Sequence, residues 1–286
     1  IKSLLGEFTD NKLIPSKGSI YSWIHGLSDV LSNTEYEKIK KELLKSLVLH
    51  VDETPIKING EQYYIHNISN GEYTLQYVSK KRGEKAIKDF GLLKQFNGIL
   101  VHDHFIMYYN YGSGNAECNV HALRYLKGVT DFTEHKWAKK LSELLIEMKN
   151  KKEELIASGI ERISDTEYEN FKNRYLEILK EGNLEYKKDL KTNSYKKDER
   201  RLLNRLEKYV DNQLLFLKKF YVPFSNNRAE ADLRFVKIRQ KIGKFRSIEG
   251  ANNFVVIRSF TSTCSKNKKS LNSSLKEIFS NKTVLA

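Results

Sequence analysis

The hydrophobic positions change period along the chain, and each change predicts a change in the kind of element. Over residues 19–31 the apolar side chains Ile20, Trp23, Ile24, Leu27 and Leu31 recur at helical spacing. Thr34-Glu35-Tyr36-Glu37 then has the form of a capping box ahead of a second helix reaching Leu44. Residues 1–46 therefore read as a helical segment. Gly18 to Trp23 also admits a helix-turn-helix entry, set against plain packing.

From Leu47 the period shortens. Leu47-Val48-Leu49-His50-Val51-Asp52 predicts a buried strand that ends on a carboxylate. Asn59-Gly60 is a hairpin signal, flanked by strands over 54–58 and 62–68. Asn70-Gly71 marks the next turn, followed by a strand over 73–79, so three strands form an antiparallel meander. A short helix is expected over 84–90. Gly98-Ile99-Leu100-Val101-His102-Asp103 then repeats the earlier theme, an apolar strand terminating in aspartate. Cys118-Asn119-Val120-His121 reads as one more short strand before a helix over 123–126.

Between about 128 and 221 the strand signal vanishes. Trp137, Leu141, Leu144, Leu145 and Met148 form one apolar stripe, and Tyr168, Phe171, Tyr175, Ile178 and Leu179 a second. Leu202, Leu203, Leu206, Tyr209, Val210 and Leu214 form a third. Breaks are expected at Ser158-Gly159 and at Glu181-Gly182-Asn183. The pattern predicts long antiparallel helices whose stripes make a core. Past Pro223 the period is again helical, with Ser225 and Asn226 as N-cap candidates. Glu230, Arg234, Lys237 and Lys241 fall on one face, and Ala229, Leu233 and Val236 on another. Gly243-Lys244-Phe245-Arg246-Ser247 reads as a basic turn, 252–262 as a helix packing back on the sheet, and the tail as loosely ordered until a short helix over 275–279. The organisation expected is 1–46 helical, 47–127 and 223–286 as two parts of one α/β domain, and 128–222 as an all-helical insertion.

Composition narrows the function. The 286 residues are 40% hydrophobic, enough for a core. No stretch approaches the roughly 18–20 apolar residues of a membrane span, and no signal peptide opens the sequence. Two cysteines, Cys118 and Cys264, argue against a disulfide framework and for a reducing cytoplasm. The first residue is Ile1, which suggests a fragment. The net charge is +14, and the last 64 residues hold 13 Lys/Arg against 4 Asp/Glu. Clustered positive charge is the footprint of a polyanion, most often nucleic acid.

Three acids then carry the chemistry: Asp52 and Asp103, each ending an apolar strand, and Glu230 on a late helix. If the two strands are parallel neighbours, both aspartates reach one edge of the sheet, and a helix packed there adds the third. Hard oxygen ligands in that number suit Mg²⁺ or Mn²⁺, and two such ions serve in-line displacement at phosphorus. The order β-β-β-α-β-α-β with a late acidic helix is that of a ribonuclease H-like mixed sheet flanked by helices.

His50-Val51-Asp52-Glu53-Thr54, Val101-His102-Asp103 and Cys118-Asn119-Val120-His121-Ala122-Leu123-Arg124 resemble motifs of the transposases of the bacterial insertion sequence 66 family. So do Asn226-Asn227-Arg228-Ala229-Glu230-Ala231-Asp232-Leu233-Arg234, Val236 to Lys241, Phe245-Arg246-Ser247 and Gly250-Ala251. The resemblance spans about 48–262. It implies a DDE-type catalytic core with two divalent ions on Asp52, Asp103 and Glu230, and DNA contact by Lys237. Strand hydrolysis at the transposon end and attack of the freed 3′-hydroxyl on target DNA would follow. It also implies DNA as partner, a homo-oligomer, accessory proteins of the same element, and action at the bacterial nucleoid. Ala231 departs from the pattern, which has arginine there. Upstream DNA-binding and zinc-binding modules of such enzymes are missing from this sequence, so impaired end recognition is expected.

Other residues have two readings. Arg124, Arg234, Lys241 and Arg246 are phosphate contacts or solvated cations. His102, His121 and Asn227 are neighbours of the active edge, or packed side chains. Glu53 points to the opposite face of its strand and reads as structural. Cys118-x-x-His121 lacks a second pair at zinc spacing. No nucleotide-binding glycine loop occurs. The alternatives to a transposase are a DNA-binding remnant without catalysis and a ribonuclease H-like nuclease.

Overall fold

The computed structural model describes residues 15–189 and 194–280. A five-stranded mixed sheet, flanked by helices, runs in the order β3-β2-β1-β4-β5. Its strands are β1 (Val48–Ile58), β2 (Glu61–Ser69), β3 (Thr74–Ser79), β4 (Ile99–His102) and β5 (Gly114–Glu117). β2 and β3 are antiparallel, whereas β1 pairs β4 and β4 pairs β5 in parallel. Parallel pairing of the two aspartate-bearing strands meets the condition under which the sequence brought both aspartates to one edge of the sheet. The expected helix between the last two strands is replaced by a 3₁₀ turn, Ile106–Asn110.

Two compact units share the chain, and β1 contributes to both. The first gathers the described residues of Ile1–Lys45 with Glu53–Leu92 and Ala231–Ala286. It holds α1 (Lys17–Asn33), α2 (Glu35–Leu44) and α3 (Glu84–Phe90). Most of α11 (Asn227–Ile242), α12 (Ile248–Lys266) and α13 (Leu271–Phe279) complete it. Its core joins Ile56, Ile58, Tyr63 and Ile65 to Leu233, Val236, Phe245 and Val255. Leu233 and Val236 are fully buried while Arg234, Lys237 and Lys241 are exposed, so α11 is two-faced as its spacing predicts. The hairpin turn takes positive φ at Asn59 (45°) and Gly60 (87°), the geometry of a two-residue primed turn. β3 lies at the end of the sheet, and α12 covers its free edge. The amides of Thr74 and Gln76 donate to Thr263 Oγ1 (3.1 Å) and Ser259 Oγ (2.8 Å), two hydroxyls one helical turn apart.

The second unit comprises Ser46–Asp52 and Leu93–Glu230. It contains β4, β5, α5 (Asn119–Phe132), α6 (Trp137–Ala157), α7 (Asp165–Lys188) and α8 (Ser194–Lys208). The short helix α4 (Leu92–Gln95) opens its longer segment, and α9 (Val210–Gln213) and α10 (Leu215–Lys218) lie near its close. All three apolar stripes are core: Trp137, Leu141, Leu145, Met148, Tyr175 and Leu203 are fully buried. The Trp137 indole N–H donates to Glu199 Oε1 at 2.7 Å, which satisfies its one polar atom.

Several local expectations fail for definable reasons. β1 does not stop at Asp52 but continues through Pro55 to Ile58. β4 ends at His102, so Pro55, which has no N–H to give, lies where β4 no longer runs alongside. Thr34 caps nothing, because its hydroxyl donates back to the Val30 carbonyl at 2.8 Å. Cys118 to His121 is not a strand; the strand is Gly114–Glu117, and α5 begins at Asn119. Gly159 does end a helix, at φ 74°, but Gly182 does not. α7 runs straight through Gly182, where a Cβ would stand 2.7 Å from Trp137 Cγ and Cδ2 and 3.0 Å from Leu203 Cδ2. That glycine serves close packing, not termination. The tail is also more ordered than expected, since α12 extends to Lys266 and α13 starts at Leu271 behind a Ser270 cap.

Two outcomes follow. Gly182→Ala improves helix propensity by about 1 kcal/mol, yet overpacking against Trp137 outweighs it, for a net loss of about 1–2 kcal/mol in denaturant unfolding. His66 is buried, stacked on Tyr77 at 4.8 Å, and burial pushes its pKa down to about 4. The unfolded chain therefore binds a proton that the folded chain refuses between pH 6.5 and 4. Stability is full above pH 6.5 and falls on acidification by up to about 1.4 kcal/mol per pH unit from this residue. His66→Phe should flatten that slope in unfolding curves collected across this range.

Candidate active site

The site is built where β1, the β5–α5 corner and the start of α11 converge within the second unit. β1 and β4 pair as Val48↔Ile99, Leu49↔Leu100 and His50↔Val101. The pairing ends at His50 and Val101, two residues before Asp52 and Asp103 respectively. Both aspartates are part-exposed, and Asp103 stands just beyond the end of β4.

Asn226 joins this strand end to the glutamate helix. It is fully buried, and its side-chain amide donates to the Val51 carbonyl at 2.8 Å. Its Oδ1 meets His50 Nδ1 at 3.0 Å, so with the amide nitrogen already used, His50 Nδ1 carries the proton. The Asn226 backbone N–H donates to Cys118 Sγ at 3.1 Å, and its carbonyl accepts from the Glu230 N–H at 3.3 Å. One residue thus connects β1, the first residue before α5, and the first turn of α11. It was expected to be a cap for its own helix; its side chain instead binds the strand. The doublet Asn226-Asn227 before a helix was the sequence signal, and capping is the commoner reason for it. Asn227 itself is exposed, beside His50 and Arg228 at the rim of a shallow depression.

The loop after Asp103 is fixed by a second buried anchor. Glu117 Oε2 accepts from Arg205 Nε (2.8 Å) and Nη2 (2.6 Å), and Oε1 meets His104 Nδ1 at 2.6 Å and the Tyr109 hydroxyl. Burial by itself would push the Glu117 pKa up. The His104 hydrogen bond and the Arg205 charge outweigh it and hold the carboxyl below its ordinary value. His104 adopts φ 75°, unusual for a residue with a Cβ, under that constraint. His102 faces inward: it is fully buried, its Nε2 lies 3.1 Å from Asn115 Oδ1, and burial pushes its pKa down to about 4.

Glu230 sits between α5 side chains. His121 Nδ1 is 3.6 Å from its Oε1, and Arg124 Nη2 is 3.5 Å from its Oε2. Arg124 also reaches His121 Nε2 at 3.3 Å while staying more than half exposed. Glu230 Oε1 and His121 Nδ1 are both buried without a hydrogen-bond partner. With Cys118 Sγ they make up a trio whose ligand atoms all lie within 4.8 Å of one another, and Asp52 and Asp103 stand outside it. Burial pushes the Cys118 thiol up, against backbone amides of Asn226, His121 and Val120 aimed at the sulfur. In the first unit, Glu53 pairs with Arg82 at 2.8 Å, a structural contact. Arg234, Lys237, Lys241 and Arg246 are all exposed there.

The family described as Transposase IS66 family matches residues 7–253. The chain belongs to that family. The match begins well before Val48, so the N-terminal helices α1 and α2 are part of the family pattern and not an appendage to it. Comparison with curated proteins gives no match. Among the described residues no helix is long and apolar enough to cross a membrane. Membership supports a transposase function and, with it, DNA as the partner.

Removing the Asn226 side chain should test the anchor directly. Asn226→Ala leaves the Val51 carbonyl and His50 Nδ1 without their buried partner, a loss of about 2–4 kcal/mol read as a lower denaturant midpoint.

Proposed function

We propose that this chain is the catalytic part of a ribonuclease H-like, DDE-type transposase that cuts transposon ends and joins them to target DNA. Asp52, Asp103 and Glu230 would hold Mg²⁺ or Mn²⁺. The observation that carries the reading is the parallel pairing of the two strands that lead to Asp52 and Asp103, together with the Asn226 link from Val51 to the Glu230 helix. The donor set fits such a cation: three part-exposed carboxylates, one with a buried oxygen that no hydrogen bond satisfies. When bound there, divalent cations supply Lewis-acid stabilisation of charge on the transferring phosphoryl group.

The chain's own groups do the remaining work of binding and orientation. Lys237 follows Glu230 on one face of α11 by seven residues, roughly 10 Å along the axis, a distance suited to the phosphate next to the one being cut. Arg234, Lys241 and Arg246 add exposed positive charge for DNA phosphates in the first unit, and Arg124 does so in the second. Asn226 and the Glu117–Arg205 pair hold the carboxylate-bearing segments still, so that little reorganisation is required as charge develops. A homo-oligomer that pairs two ends is part of the same reading. The competing account, a remnant that binds DNA without cutting it, draws on the ion contacts that hold Glu230 to Arg124 and His121.

A nicking assay on duplexes carrying the element's own ends separates these accounts. With Mg²⁺ or Mn²⁺ the wild-type chain should nick the duplex, and Asp52→Asn and Glu230→Gln should fall to background while keeping their far-ultraviolet circular dichroism. Nicking retained in both variants overturns the catalytic assignment. Salt-sensitive duplex binding by a wild-type chain that never nicks favours the remnant.

A further inference from the structure

The trio beside Glu230 has a chemistry that the transposase reading does not use. Cys118, one residue before α5, and His121, on its first turn, share a face at i and i+3, and Glu230 approaches them from α11. Sulfur, nitrogen and oxygen ligand atoms within 4.8 Å of one another make a mixed donor set. Two of the three atoms, His121 Nδ1 and Glu230 Oε1, are buried with no hydrogen-bond partner, a costly state unless something else satisfies them. The sequence offered Cys118-x-x-His121 with no second pair. The fold supplies the third ligand from more than a hundred residues away.

We propose that Cys118, His121 and Glu230 form a binding site for one borderline-soft divalent cation of the Zn²⁺ or Co²⁺ kind. Bonds of roughly 2.0–2.3 Å in a tetrahedron set ligand atoms roughly 3.3–3.8 Å apart, so the trio has to close by only about an ångström. Glu230 has the freedom to do this, being part-exposed and held by long contacts. A thiolate and an imidazole select such a cation over Mg²⁺. Coordination releases the thiol proton to solvent, and thiolate plus carboxylate then balance the ion's two charges. The imidazole binds through Nδ1 with its proton on Nε2, and exposed Arg124 turns out from that nitrogen. Three protein ligands leave a fourth position for water.

Of the three carboxylates in the proposed reaction, only Glu230 belongs to this site. Occupancy would hold that side chain against α5. The soft cation therefore acts as an inhibitor competing for Glu230, and Mg²⁺ does not replace it.

Cobalt absorption tests the site without relying on activity. The wild-type chain should take up one equivalent of Co²⁺ with a near-ultraviolet sulfur-to-cobalt charge-transfer band that Zn²⁺ displaces. Cys118→Ser should abolish the band, which also separates it from Cys264, and His121→Gln should weaken Co²⁺ binding by at least ~10-fold. Asp52→Asn should keep the band in full even though nicking is lost, so failure of this site and failure of the nicking reading are distinguishable. Absence of a band in the wild type, or its survival in Cys118→Ser, overturns the proposal. If Cys118→Ser does not fold, wild-type affinity in His121→Gln overturns it alone.

Discussion

The buried amide of Asn226 is the contact on which the geometry of the site depends. A primary amide has two donors and a carbonyl acceptor, and here its orientation is fixed by unlike partners, a main-chain carbonyl on one side and an imidazole on the other. Its backbone adds two more links, to the Cys118 sulfur and to the Glu230 amide. No substitute among the other side chains offers both a donor and an acceptor at that reach. Aspartate would face the Val51 carbonyl with an acceptor, and leucine would take the amide away from both partners.

The same logic, in charged form, governs the opposite flank. Glu117 is buried on β5, and its two oxygens are met by a guanidinium from α8 and by imidazole and phenol donors from the β4–β5 connection. Taking a carboxylate out of water is tolerable only with that many donors. The consequence for Asp103 is indirect but firm. Its neighbour His104 is held in a left-handed conformation by the cluster, so the chain turns directly after β4 instead of extending it. Arg205 comes from α8, so the helical segment helps to hold this turn.

Periodicity made much of this legible in advance. The stripes headed by Trp137, Tyr168 and Leu202 were readable because helices repeat every 3.6 residues and cores are apolar. The Asn59-Gly60 turn was readable because few residue pairs accept its backbone angles. The two aspartate strands followed from two short branched runs, each closing on an acid, while their parallel pairing entered the sequence reading only as a condition. What escaped is what depends on distant partners. Gly182 looked like a helix end because its reason, the face of Trp137, lies 45 positions earlier. Cys118 to His121 looked like a strand because four residues are too few to show a period, and the carbonyl accepting from Asn119 belongs to Phe224. Asn226 looked like a cap because its true acceptor sits on a strand 175 residues away.

The hydroxyls of Ser259 and Thr263 carry a consequence beyond local satisfaction. An outermost strand normally leaves a row of amides and carbonyls that another polypeptide can zip onto. On β3 the amides of Thr74 and Gln76 are taken by α12, and the Gln76 carbonyl accepts from the Tyr36 hydroxyl at 2.7 Å. From Thr74 to Gln76 that margin is closed to strand addition. Any assembly of two copies along it has to proceed through helix surfaces, reading side-chain shape and charge where a shared ladder would have read almost nothing.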